Sequence, residues 1–216
     1  GSANQCPRVE LVAQAADATD GWSTDVEAMT PQYVRLDASG STDPDGQIVR
    51  YDWRAIERPS GATVRFEPWQ DDSNDKRPAK RRIRIGQAGD YEIGVRAIDD
   101  AGRSSCDDGT VRISAEERFK LQVDVTWTNP EDPDETDENG SDVDLHVVKM
   151  GAGKWFSAPY DIYFRNPNRH SSGGGGIWNP EDPTLVLDES DGRGPEVFGM
   201  DKPADCQWYA VGVHYY

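Results

Sequence analysis

Short runs in which apolar and polar residues alternate recur along the whole chain, and they restrict what it can fold into. The run over residues 48–54, for example, places Val49, Tyr51 and Trp53 on one face and polar residues on the other. Alternation with a period of two is typical of a strand with one buried face. Because no stretch shows the 3.6-residue period of an amphipathic helix, the sequence predicts an all-β protein.

Turn-forming segments such as residues 43–46 (Asp-Pro-Asp-Gly) separate these runs. Seven short strands in about 110 residues are typical of a β-sandwich, in which two sheets pack face to face. The pattern breaks at residues 114–118, restarts at Lys120 and predicts two tandem β-sandwich domains, residues 1–114 and 115–216. The predicted strands are residues 9–13, 33–37, 48–54, 63–66, 82–85, 91–97, 109–113, 120–127, 143–148, 161–164, 184–187, 196–198 and 209–214.

The composition is acidic and polar. The chain has 23 Lys and Arg against 40 Asp and Glu, a net charge of −17, which argues against binding to a nucleic-acid backbone. Hydrophobic residues make up only 35%, but 7 Trp, 8 Tyr and 5 Phe indicate a folded chain, because disordered chains are poor in aromatics. No apolar run approaches the roughly 18 residues of a membrane span.

Two motifs carry a resemblance in the first domain. Residues 34–53 read Val-Arg-Leu-Asp-Ala-Ser-Gly-Ser-Thr-Asp-Pro-Asp-Gly-Gln-Ile-Val-Arg-Tyr-Asp-Trp, and residues 97–102 read Ala-Ile-Asp-Asp-Ala-Gly. Together they resemble PKD-type domains, immunoglobulin-like sandwiches common on cell surfaces and in secreted bacterial proteins, over about residues 5–114. The resemblance implies a core role for Trp53. Residues 67–80 depart from the family pattern, because its usual short Gly-Asp-Gly turn is missing.

The second domain resembles an uncharacterised bacterial extracellular β-sandwich family. The matching segments are residues 142–147 (Asp-Val-Asp-Leu-His-Val), 166–168, 191–196 and 211–216. The resemblance implies a module that sits beside other extracellular modules, and it brings no catalytic activity. It also implies that the fold continues past Tyr216.

The three cysteines form no Cys-x-x-Cys pair, which argues against a thiolate zinc site. In an immunoglobulin-like sandwich the chain start and the last hairpin lie at the same end. A Cys6–Cys106 disulfide is therefore geometrically reasonable and suits an extracytoplasmic protein. The alternatives are three unpaired buried cysteines or a lipid-modified Cys6. Cys206 is left over, either free or paired outside this chain.

A first cluster of acids is expected at one end of the first sandwich. Asp43 and Asp45 share a tight turn, and Asp99 and Asp100 lie on the late hairpin. Carboxylates that cluster repel one another unless a cation neutralises them, and Ca²⁺ takes six to eight oxygen ligands. PKD-like domains sometimes bind calcium at this position. We expect Ca²⁺ here; the alternative is turn chemistry alone, since Asp and Gly are good turn formers.

A second candidate calcium site lies in the acidic second domain. It comprises five acids: Asp142, Asp144, Asp188, Asp191 and Glu196. Strand alternation places Asp142, Asp144 and His146 on one face, with the residues between them towards the core. We expect Ca²⁺ here as well, the alternative being a solvated acidic face. Asp142, Asp144, His146 and His214 could instead form a zinc or iron site.

The sequence offers little for catalysis. It contains no His-Glu-x-x-His, Gly-x-Ser-x-Gly or Walker A motif and only three histidines, and nothing selects a glycosidase pair among forty acids. Trp155, Tyr163 and Trp178 could form a sugar-stacking surface; the alternative is a role in the core and at strand edges.

We therefore expect a non-enzymatic, calcium-binding module, a spacer or adhesion unit of a secreted or surface-displayed bacterial protein. Its expected location is extracytoplasmic, its expected partner a surface protein or a glycan, and its expected state a monomer. The alternative function is that of a carbohydrate-binding accessory module of a secreted hydrolase.

Overall fold

In the computed structural model the chain consists of β-strands joined by turns. The structure describes residues 3–19, 21–69, 78–128, 141–151, 154–168, 177–178, 181–189 and 194–215. These ranges contain no helix, and hence none long and apolar enough to cross a membrane. The chain divides into two compact units, Gly1–Glu117 and Arg118–Tyr216. The predicted all-β fold class, built of β-sandwiches, is confirmed.

The first unit is an immunoglobulin-like sandwich of two four-stranded sheets. One sheet has the order β1-β3-β6-β5, with β1 at Val12–Ala15, β3 at Gln32–Asp37, β5 at Glu67–Pro68 and β6 at Lys80–Ile85. The other has the order β2-β8-β7-β4, with β2 at Asp25–Thr30, β4 at Ile48–Glu57, β7 at Gly89–Asp99 and β8 at Gly109–Glu117. All strand pairs are antiparallel except β2 with β8, which is parallel.

Alternate residues of both sheets fill the space between them. The almost fully buried positions include Val34, Leu36, Ile83 and Ile85 from one sheet and Tyr91, Ile93, Val95 and Ile113 from the other. Trp53 packs against this core from β4 and stacks at a tilt on Phe66, and its Nε1 donates to the Pro78 carbonyl at 3.2 Å. The period-two alternation seen in the sequence therefore corresponds to the inner faces of the sandwich.

Three strands of the first unit differ from the sequence-based assignment. The structure adds β2 at Asp25–Thr30, where only Ala28 and Thr30 are buried, so the apolar signal is weak. The first strand lies at Val12–Ala15 rather than 9–13. Residues 63–66 are not in a strand; the short β5 follows them. Because edge strands bury few residues, their sequences show little alternation of apolar and polar residues.

Cys6 and Cys106 form a disulfide with 5.6 Å between their Cα atoms. It joins the start of the first unit to the segment before β8. Cys206, in the second unit, is a free and exposed cysteine.

The second unit is a smaller sandwich of two three-stranded antiparallel sheets. One has the order β11-β10-β14, with β10 at Val143–Lys149, β11 at Asp161–Ile162 and β14 at Tyr209–Tyr215. The other has the order β12-β13-β9, with β9 at Leu121–Val125, β12 at Pro183–Leu187 and β13 at Glu196–Met200. Its core holds Leu145, Val147, Ile162, Trp178, Leu185, Phe198 and Met200.

Strand β10 is buried on both of its faces. Leu145 and Val147 point into the core, and Asp144 and His146 point to the opposite face, yet these two are only 4% and 2% exposed. The rings of Phe156 and other aromatic side chains pack over that outer face at His146. Burying an acid and an imidazole on a central strand costs free energy unless neighbouring groups hydrogen-bond to them or balance their charge.

Candidate metal-binding sites

The first unit brings the two loops of the predicted acidic cluster together. The Asp100 N–H donates to the Gln47 carbonyl at 2.9 Å, which ties the turn at residues 43–46 to the end of β7. A Cβ added to Gly46 would lie 2.5 Å from Asp100 Oδ1 and 2.7 Å from Asp43 Oδ2. Only a residue without a side chain leaves room for these two carboxylates.

Two of the four acids have short hydrogen bonds to the protein, whereas among the described residues Asp100 accepts only a long one, from the Gln47 N–H at 3.5 Å. Asp99 accepts hydrogen bonds from Asn4 Nδ2 at 2.8 Å and from the Arg103 N–H at 2.7 Å. Burial acts to raise the pKa of Asp99, but these donors outweigh it and hold the pKa below its usual value. Asp45 accepts from the Gln5 N–H at 3.0 and 3.2 Å. Both carboxylates therefore hold the start of the chain in place.

Asp43 lies in a different environment. Both of its carboxylate oxygens are enclosed, and neither has a hydrogen-bond partner of good geometry among the described residues. Burial raises the pKa of Asp43; the Asp45 amide lowers it, and the charges of Asp45, Asp99 and Asp100 raise it further. Asp43 and Asp100 are thus the acids of this cluster that are best placed to meet a cation.

In the second unit, strand register collects three metal-ligating side chains on the outer face of one sheet. Asp144 of β10 pairs directly with His214 of β14, and His146 follows two residues along β10. Directly opposed residues of an antiparallel pair point to the same face, as do residues two apart. One ligand atom from each of the three lies within 4.8 Å of the others, and His214 Nδ1 is 3.7 Å from Asp144 Oδ2.

A second set of three shares Asp144 and adds two acids from the other sheet. Ligand atoms of Asp144, Asp188 and Glu196 all lie within 4.8 Å of one another. Glu196 begins β13, and its Oε2 accepts a hydrogen bond from the Leu145 N–H of β10. Asp188 follows β12 and is exposed. This group therefore joins the two sheets of the unit.

Several atoms of these two sets are buried without a partner. Among the described residues, no hydrogen bond of good geometry reaches Asp144 Oδ2, His146 Nε2 or Glu196 Oε1. Glu196 is only 1% exposed. Leaving such a group unsatisfied costs free energy of about 1–3 kcal/mol, and more where it is charged.

The raised pKa values of these acids also favour a cation at this position. Burial, and then the nearby acids Asp188 and Asp144, raise the pKa of Glu196 to about 9, against a lowering by the Leu145 amide. Burial and the Asp142 charge raise the pKa of Asp144, and burial and the Asp188 charge raise that of Asp142. At Asp144 the two neighbouring imidazoles, His146 and His214, lower the pKa but do not offset burial and the acid charges. Of the predicted set, Asp191 lies outside the described residues.

Asp161 orients His146, a role that was not predicted from the sequence. Asp161 Oδ2 lies 2.7 Å from His146 Nδ1 and also accepts the Phe156 N–H at 2.7 Å. A carboxylate that accepts from Nδ1–H leaves the lone pair of the imidazole on Nε2, the arrangement of a metal-ligating histidine with its supporting carboxylate. The available signal was an acid at the start of a predicted strand, residues 161–164. Its pairing with Val148, which puts it on the face of His146, was not readable.

The three aromatic residues expected to bind a sugar do not share an exposed surface. Trp178 is fully buried, donates from Nε1 to the Pro159 carbonyl at 2.9 Å and stacks on Tyr209. Tyr163 is 8% exposed and stacks on the His146 ring at 4.9 Å between centroids. Trp155 is 44% exposed. The assignment of Trp178 to a sugar surface is therefore corrected: its indole fills the core.

Comparisons with known proteins show what the chain is similar to. No family model matches it, and no curated protein matches it. A nucleoside hydrolase-related hypothetical protein from Saccharophagus degradans, associated with carbohydrate metabolism, is 22% identical over 53% of this chain, which spans 26% of that protein, with a TM-score of 0.35. The PKD domain of the KIAA 1837 protein is 23% identical, over 54% of this chain and 92% of that domain, with a TM-score of 0.33.

A carbohydrate-binding module of the β-sandwich superfamily is 12% identical, over 99% of this chain and 97% of that module, with a TM-score of 0.34. These similarities concern fold and identify no ligand, substrate or partner for this chain.

Proposed function

We propose that this chain is a non-enzymatic, extracytoplasmic module whose second unit is stabilised by a bound divalent cation. The observation that carries the proposal is the group Asp144, Asp188 and Glu196, in which acids from both sheets converge and two of them are buried. At this spacing the three acids cannot all ionise without repelling one another, and a cation between them would make the ionised form of all three favourable.

The position of the group gives the cation a structural role. Glu196 lies at the start of β13 in one sheet, and Asp144 lies on the central strand of the other. An ion bound to both would link the two sheets near Asp144. On this side of β10 the short strand β11 pairs only with Val147 and Val148, so it does not reach Asp144. We infer that the ion adds stability to a sandwich whose hydrophobic core is small.

The disulfide supports an extracytoplasmic location, because disulfides persist in oxidising compartments. The lack of catalytic motifs in the sequence supports a module without enzymatic activity. Within this proposal the chain acts as a spacer or adhesion unit that presents its surface to a protein or a glycan, as a monomer.

A melting experiment tests the cation. The chain is stripped with EDTA, and its melting temperature is measured with and without millimolar Ca²⁺, Mg²⁺ or Zn²⁺. A ligand that binds only the folded state stabilises it by about 2.7 kcal/mol at one hundred times its dissociation constant. Glu196→Gln keeps an acceptor for the Leu145 N–H but cannot ionise beside a cation, so it should weaken the response of the second unit. Asp201→Asn, at an exposed acid outside the group, should respond like the original chain. If no divalent ion shifts the melting temperature, the proposal is wrong.

The same titration addresses Ca²⁺ in the first unit. Asp43→Asn removes the enclosed carboxylate whose oxygens have no partner of good geometry. Without metal this variant should melt at a higher temperature than the original chain, because the repulsion among the acids is relieved. A calcium response of the first unit should disappear with it. A lower metal-free melting temperature would show that Asp43 is stabilising without any ion.

A further inference from the structure

Resting on the proposed function, we infer that the ion in the second unit is a first-row transition ion of the Zn²⁺ class. Its nitrogen ligands are His146 and His214, and Asp144, which these histidines share with the group of Asp188 and Glu196, supplies a carboxylate ligand. Ca²⁺, which the acidic sequence favours, is then not the ion of this site.

The donor atoms discriminate between these two classes of metal. Ca²⁺ takes oxygen ligands, whereas imidazole nitrogen suits zinc, iron, copper and nickel. The group that lies within 4.8 Å around Asp144, His146 and His214 offers two imidazoles and one carboxylate. Two histidines and one carboxylate are a set that binds transition ions with coordination positions left open.

His146 has the features of a prepared ligand. Its side chain is 2% exposed, and its Nε2 is buried without a hydrogen-bond partner among the described residues. Nδ1 is held by Asp161 at 2.7 Å, so the nitrogen that is left carries the lone pair. A buried imidazole that only needed a structural partner would use both nitrogens; this one directs an unused acceptor into the outer face of the sheet.

The spacing of the other two ligands fits one shared ion. His214 Nδ1 and Asp144 Oδ2 are 3.7 Å apart, within the distance of an ion pair. Two atoms bound to the same tetrahedral zinc at about 2.1 Å lie about 3.4 Å apart. The β10–β14 register sets this spacing, because Asp144 and His214 are directly opposed across the pair.

Aromatic rings hold both imidazoles in place. The Phe156 ring lies edge-on to His146 at 4.5 Å and to His214 at 5.1 Å, and Tyr163 stacks on His146 at 4.9 Å. The Phe156 backbone N–H donates to the same Asp161 oxygen that holds His146. These ring contacts help to fix the orientation of the two imidazoles, which tunes a metal site.

The test compares metals on the intact chain. We expect calorimetry of the EDTA-stripped protein to give a Zn²⁺ dissociation constant at least about 100-fold below that for Ca²⁺. Co²⁺ is the spectroscopic probe: two strongly shifted imidazole N–H proton resonances that disappear in D₂O would show nitrogen ligation by two histidines. This measurement uses the unmutated chain, so it does not depend on any variant folding.

Variants then separate ligand from support. His214→Ala, at a partly exposed position, should weaken Zn²⁺ binding by at least about 100-fold and leave any Ca²⁺ binding unchanged. Asp161→Asn should weaken Zn²⁺ binding by about 10–100-fold, the loss typical of a group that supports a ligating histidine. Asp201→Asn is the control, and far-UV circular dichroism checks that each variant is folded.

The outcomes distinguish the two proposals. Ca²⁺ that binds as tightly as Zn²⁺, with His214→Ala leaving both affinities unchanged, would overturn the nitrogen-ligated site and leave the cation-stabilised module intact. Failure of every divalent ion to bind would overturn both. Zn²⁺ binding that persists in His214→Ala, without shifted imidazole signals in the Co²⁺ form, would also reject this inference.

Discussion

At the scale of single residues, the second unit depends on a buried polar network away from the metal ligands. Glu181 is fully buried, and its Oε2 accepts from Lys149 Nζ at 2.5 Å. Its Oε1 accepts from the Tyr209 hydroxyl at 2.6 Å, and that hydroxyl in turn accepts the Ala204 N–H at 2.9 Å. The network joins β10, β14 and the segment before β12, and no pattern in the sequence predicted it.

Tyr209→Phe should lower the free energy of unfolding by about 1–3 kcal/mol at neutral pH, since it leaves Glu181 Oε1 and the Ala204 N–H without this partner. Chemical denaturation of the two proteins measures the difference. An unchanged midpoint would mean that water replaces the hydroxyl at no cost.

The same hydroxyl predicts a dependence on pH. Burial, and then the Glu181 carboxylate, raise the pKa of Tyr209 to about 12, whereas an unfolded tyrosine titrates near 10. The stability that this proton contributes is complete below pH 10 and is lost as the pH rises from about 10 to 12, because the unfolded chain releases the proton first. Tyr209→Phe should flatten that part of the stability curve. An equally steep loss in the variant would assign the effect to other groups.

At the scale of elements, β13 shows how a glycine accommodates an aromatic neighbour. A Cβ added to Gly199 would lie 2.4 Å from the Phe119 ring, which is buried over the strand. Gly199→Ala should therefore destabilise the second unit by about 1–3 kcal/mol through overpacking. Gly21→Ala is the matched control, because nothing lies within 4 Å of its added Cβ. Equal unfolding midpoints for the two variants would show that Phe119 moves aside freely.

The elements also show which parts of the site could be predicted. Alternation along β10 correctly put Asp144 and His146 on one face, because the side-chain period of a strand is local information. Pairing is not local: the register that opposes His214 to Asp144, and Asp161 to Val148, depends on strands far apart in sequence. The sequence therefore supplied the candidate ligands and suggested that Asp144, His146 and His214 could bind one metal, and the structure supplied the register between them and the support of His146 by Asp161.

The aromatic residues illustrate the opposite limit. Trp178 follows a glycine-rich stretch, and the sequence left open whether its ring binds a sugar or packs in the core. In the structure its indole is enclosed by the core and stacks on Tyr209. Large aromatic side chains fill small cores as readily as they bind ligands, and a single sequence does not separate the two.

At the scale of the whole molecule, the disulfide closes most of the first unit into one covalent loop, since Cys6 and Cys106 are 100 residues apart. Replacing both cysteines by serine should lower the unfolding free energy of this unit by about 2–5 kcal/mol, mainly by freeing the unfolded chain. Urea denaturation measures the loss. A thiol assay should find one reactive group in the native protein, the exposed Cys206, and three after reduction and unfolding. Three reactive thiols in native protein isolated without reductant would contradict the disulfide.

That covalent loop also has a mechanical consequence. Tension applied along the chain enters the first unit near Cys6 and leaves through β8, which begins at Gly109. The disulfide transmits this force directly, so strands β1 to β7, which lie between the two cysteines, are bypassed. The residues between the two cysteines, about 100 in number and roughly 330–360 Å long when fully extended, cannot be stretched out even if the sandwich unfolds. Under tension the first unit would thus behave as a short, nearly inextensible link until its disulfide is reduced, whereas the second unit, whose one cysteine is free, has no such restraint.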